Sequence, residues 1–130
     1  MKKEYLLAMS ESELDLYGRA CGIDTTAAKG VKAKAALIAK ARERTADIHV
    51  MGMTLTVPIK KMRDKSVGDR IEAGALQSNA KIEELMVDLL GAEQWEAIIE
   101  RCTDEDGTVD IDAFGVIVAE ILSSTELKNY

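Results

Sequence analysis

Apolar positions along the chain change their period at two places, and the changes mark its elements. Leu14, Tyr17 and Cys21 recur at helical spacing, so a helix is predicted from about Glu11 to Cys21. Ser10 and Glu13 stand ahead of it as a capping box, and Gly22 is its stop. After a linker holding Thr25 and Thr26, the run VKAKAALIAKARER is dense in strong helix formers, and its spacing predicts a second helix from about Gly30 to Arg44. Val31, Ala35, Leu37 and Ile38 are its expected buried set. From Asp47 the period drops to two: Ile48 and Val50 alternate with His49, then Met53, Leu55 and Val57 with Thr54 and Thr56. That is a β-hairpin ending at Pro58, although methionine at Met51 suits poorly a turn needing positive φ.

Helical spacing then returns. Ile59 to Arg70 is basic and weakly periodic and reads as a connector running into a helix, while Gly74 weakens a helix over Ile71 to Leu76 by roughly 1 kcal/mol relative to alanine. The strongest stripes of the chain follow, and we take them as its organising stretch. Ile82, Leu85, Met86, Leu89 and Leu90 share one face, and Trp95, Ile98, Ile99 and Cys102 another, with Gly91 between them. Ser78 or Asn79 caps the first of these helices, and Gly91 lets the second fold back so that both stripes share a core. A last helix is predicted with Phe114, Ile117, Val118 and Ile121 inside and Asp110 as its cap, and the tail SSTELKNY, without a stripe, is expected to fray. The fold class is therefore mainly α with one short β-hairpin: a small helical module over residues 1–46, then a hairpin and a three-helix domain over residues 47–130.

Charge sharpens this division. Residues 1–46 carry a net +3 and residues 47–130 a net −9, summing to the −6 of the chain. The acidic part repels nucleic acid and anionic membrane, so contact with either is left to the first third. Apolar runs fall well short of the roughly 20 residues of a spanning helix, and the start MKKEYLLAMS has too brief an apolar patch for a leader, so no membrane contact and a cytoplasmic location are expected.

Candidate chemistry is sparse. Cys21 and Cys102 lie on helical faces and are expected as buried free thiols. His49 is the only histidine, there is no CxxC, and no phosphate loop or nucleophile elbow is present, so neither a zinc site, a cofactor nor catalysis is expected. The stretch TDEDGTVDIDAF invites comparison with a calcium loop. With Gly107 at the sixth position, however, Cys102 takes the first and Ala113 the twelfth; starting at Asp104 instead, Val109 replaces the turn glycine and Gly115 the bidentate glutamate. An acidic turn without metal is the expectation.

The segment ESELDLYGRACGIDTTAAKGVKAKAALIAKARER resembles the helix-extension-helix modules related to SAP and LEM domains, whose pattern falls here on Leu14, Gly22, Ile23, Gly30, Lys34, Leu37 and Ile38. That resemblance implies a nucleic-acid contact through Lys29, Lys32 and Lys34; the plainer reading of the same lysines is a solvated helix face. Over about residues 47–125, the order of hairpin, connector and helices, with Leu89, Leu90, Gly91, Glu93, Gln94 and Trp95 at one junction and IDAFGVIVAEILSS after the acidic turn, resembles the tail assembly chaperones of long-tailed bacteriophages. It implies a non-catalytic protein that binds the tape measure protein, keeps it soluble and helps recruit tail tube protein, with self-association left open. Met86, Leu89, Leu90, Trp95 and Ile99 are then the candidate contact residues, unless the same side chains are the domain's own core. The competing reading is a nucleic-acid-binding phage protein acting through the first module.

Overall fold

The structure, a computed structural model, describes the backbone of residues 1–127 and the side chains of residues 1–124. It is mainly helical with a single antiparallel hairpin, and it divides into two compact units, Met1–Arg44 and Thr45–Thr125. Among the described residues no helix is long and apolar enough to cross a membrane.

The first unit holds α1 (Lys3–Leu7), α2 (Glu11–Ala20) and α3 (Val31–Arg42). The capping box forms as expected: the Ser10 hydroxyl accepts the Glu13 N–H at 3.2 Å, and the Glu13 carboxylate accepts the Ser10 N–H at 3.0 Å. Gly22, at φ 77°, ends α2 in a Schellman turn, with the Ile23 N–H donating to the Gly18 carbonyl and the Gly22 N–H to that of Arg19. Leu6, Leu14, Cys21, Ala35 and Ile38 make the core, with Tyr17 and Val31 half-buried against it. One expectation fails here, and one element comes unannounced. Leu37 lies on the outside of α3, and α1, unmarked by any period in so short a run, contributes Leu6 to the core.

The second unit opens with β1 (Thr45–Val50) and β2 (Met53–Pro58), paired from Thr45 with Pro58 to Val50 with Met53. Met51 at φ 50° and Gly52 at φ 75° make the two-residue turn, so the methionine accepts a conformation it disfavours. The expected connector is itself helical, folded into α4 (Ile59–Met62) and α5 (Lys65–Glu72). Gly74 is the stop of α5 rather than a weak point inside a helix: at φ 94° it lets the Ala75 N–H reach the Arg70 carbonyl at 2.9 Å.

α6 (Asn79–Leu90), capped by Ser78, meets α7 (Ala92–Arg101) at Gly91. Gly91 takes φ 88° and ψ 155°, a glycine-only extended region rather than the left-handed helical one, and so caps the end of α6 and the start of α7 at once. α8 (Ile111–Leu127) completes the unit. Its helix runs on through Ser123 and Ser124, against the expected fraying, whereas the last three residues of that tail lie outside the described residues. The core gathers the inward faces of both strands with Leu85, Met86, Leu89, Trp95, Ile98, Phe114, Ile117 and Ile121.

Candidate functional site

The candidate contact residues converge, but inward. Met86, Leu89, Leu90 and Trp95 are buried in the core of their own unit, and Ile99 is half-buried against it. Trp95 is 6% exposed; its ring meets Phe114 edge to face with centroids 5.3 Å apart, and its indole N–H donates to Glu83 at 3.2 Å. The stripes of α6 and α7 thus cover one another and the inner faces of the hairpin and α8, so of the two readings their spacing left open, contact face or domain core, these side chains occupy the core.

The lysines of the first unit separate in the same way. Lys29 and Lys32 are exposed, but Lys34 is 4% exposed, its ammonium held by Asp15 at 2.7 Å and by the Thr25 carbonyl at 2.9 Å. Thr25 donates its hydroxyl to the same carboxylate at 2.7 Å, so the linker between α2 and α3 is tied down by one internal ion pair. The hydrogen bonds from Lys34 and then Thr25 hold the Asp15 carboxyl below the ordinary aspartate range. Lys34 is therefore a fastener inside the module and is not offered to phosphate.

The acidic turn is closed on itself. The Asp104 N–H donates to the Thr108 carbonyl at 2.7 Å, Asp106 accepts the Thr108 N–H at 2.9 Å, and Asp110 caps α8 through the N–H groups of Asp112 and Ala113. Among the described residues no three His, Cys, Asp or Glu side chains are placed to hold a metal ion.

What remains outward on the second unit is unevenly made. Between Ile82 and Thr125 twelve acids face a single base, Arg101. On α8, however, the outer face is Ile111, Gly115, Val116 and Ala119, with Ile111 61% and Val116 48% exposed, and only Asp112 and Glu120 carry charge there. A Cβ added to Gly115 would meet nothing within 4 Å, so this face is open and low. Helical periodicity selected the opposite face of α8 and passed over this one, because an apolar residue outside the main stripe carries no period of its own. Val109, at the end of the acidic turn, is also exposed.

One polar side chain does structural work that its sequence position did not reveal. Gln94 lies along the outer edge of β2, accepting the Thr56 N–H and donating to the Thr56 carbonyl, both at 2.8 Å, while also donating to the Leu90 carbonyl at 2.7 Å. It stands in for a third strand at that point and joins α7 to the hairpin. No protein-family model matches the chain, and no curated protein and no solved structure matches it either.

Proposed function

We propose that the chain is a tail assembly chaperone of a long-tailed bacteriophage, which coats the tape measure protein, keeps it soluble and helps bring tail tube protein to it, acting by contact rather than catalysis. The observation that carries this reading is the outer face of α8: after the unit has filled its core, an apolar strip of Ile111, Gly115, Val116 and Ala119 stays open within the acid-rich segment from Ile82 to Thr125. A long helical client has apolar stripes of its own and aggregates unless they are covered. A helix with small residues on its outer face lets a second helix approach closely, and the surrounding acids keep the coated complex soluble. Many copies along one client turn a weak contact into a lasting one. The resemblance in the segment around Trp95 supports the same reading, with its residues acting as the frame that holds α8 rather than as the contact.

The test is co-expression with the long helical protein encoded just downstream, scoring how much of it stays soluble and co-purifies. The wild-type chain should rescue it, and Ile111→Glu with Val116→Glu should lose the rescue while keeping the wild-type helical signal and Trp95 fluorescence. Absence of rescue by the wild-type chain would overturn the proposal. The nucleic-acid reading retains Lys29 and Lys32 only, and it would be revived by retention of DNA that weakens steeply with salt.

A further inference from the structure

The two edges of the hairpin are treated differently. On β2 the outward backbone groups of Thr56 are both taken by Gln94. Strand pairing alternates, so the residues opposite Thr56 and Thr54, namely Asp47 and His49, turn their own N–H and C=O groups to the outer edge of β1. Among the described residues these groups have no hydrogen-bond partner, and both side chains are exposed. An open strand edge is a template for another strand.

We propose that β1 pairs antiparallel with β1 of a second copy, giving a four-stranded sheet in the order β2, β1, β1 of the second copy, β2 of the second copy. The occupant follows from the strand's own charge pattern. A two-fold axis through Asp47 would set the two carboxylates directly opposite, which is unfavourable. Moving the axis by one residue, to Ile48, sets His49 of each copy against Asp47 of the other, Ile48 against Ile48, and Val50 against Ala46. This register spans the strand from Ala46 to Val50 and satisfies the outward backbone groups of both Asp47 and His49.

The polar face is prepared for this register. His49 Nδ1 lies 2.9 Å from the Thr54 hydroxyl, and Asp47 Oδ1 accepts the Thr56 hydroxyl at 3.0 Å. With the Thr54 hydroxyl donating, the imidazole carries its proton on Nε2, which is then directed to Asp47 of the second copy. Asp47 has its other carboxylate oxygen for that bond. Each row across the sheet therefore reads Thr54, His49, Asp47, Thr56, with the Asp47 carboxylate as the acceptor on which the hydrogen bonds from both sides converge. The pairing is isologous, so it closes at two copies and does not propagate.

The full chain, measured by sedimentation equilibrium over a range of concentrations, should show a monomer–dimer equilibrium. The amides of Asp47 and His49 should exchange hydrogen slowly in the dimer and fast on dilution. Asp47→Lys places a lysine against histidine twice in each dimer and should raise the dissociation constant about tenfold. Asp47→His combined with His49→Asp restores opposite partners in the same register and should recover most of the loss, with circular dichroism confirming the fold of each variant. A chain that stays monomeric would overturn the proposal, as would a dimer in which the two amides exchange freely or which Asp47→Lys leaves unchanged. A monomer whose edge amides become protected only on adding the client would assign the edge to an extended client segment instead, and would equally overturn it.

Discussion

Trp95 and Lys34 are the residues whose roles turn on burial. Trp95→Ala removes a large ring from a filled core and should cost about 3–5 kcal/mol in the second unit, read by urea denaturation. A loss of client binding in that variant would report unfolding, which is why the proposed contact is better tested at the exposed Ile111 and Val116. Lys34 and Asp15 fasten the first unit through a pair in which the lysine is internal and the aspartate one-quarter exposed. Because the folded carboxyl titrates below its unfolded value, its contribution to stability is present above the ordinary aspartate range and is lost as pH falls through the depressed value. Asp15→Asn should therefore lower stability at neutral pH and flatten the acid limb of a pH–stability curve, and an unchanged acid limb would refute the assignment.

Among the elements, the turns carry the sharpest expectations. Gly91 sits in a glycine-only backbone region with open space around it, so Gly91→Ala should destabilise by about 1–3 kcal/mol through the backbone alone. The two-residue turn of the hairpin favours asparagine before glycine, so Met51→Asn should stabilise by about 0.5–1 kcal/mol, seen as a raised thermal midpoint of the second unit. Gln94 joins α7 to β2, and Gln94→Ala should loosen the hairpin edge and speed hydrogen exchange at the Thr56 amide. The short helices α4 and α5 show why the connector escaped sequence reading. Each is too short to display a stripe, and each is held by what lies across from it: Ile59 and Met62 bury, and Val67 joins the same core.

For the whole molecule, the separation into two units parallels the change of charge along the chain. The first unit carries a net +3 over residues 1–44, and the second a net −9 over residues 45–125. On the proposed function, binding of the client should belong to the second unit and tolerate added salt, since the proposed contact is apolar, whereas any binding of nucleic acid by Lys29 and Lys32 should fade with salt. A salt titration of both activities on the full chain separates the two.

The sequence by itself determined the elements that rest on local physics. The capping box at Ser10, the stop at Gly22, the alternation from Ile48 to Val57 and the junction at Gly91 were legible because each depends on neighbours within a few residues. The apolar stripes were equally legible, but a stripe states only that a face must be covered and not by what. Only the tertiary structure decided that Met86, Leu89, Leu90 and Trp95 cover one another's helices, that Lys34 turns inward to Asp15, and that Leu37 turns outward. Those outcomes depend on side chains many residues away, and periodicity along the chain carries no record of them.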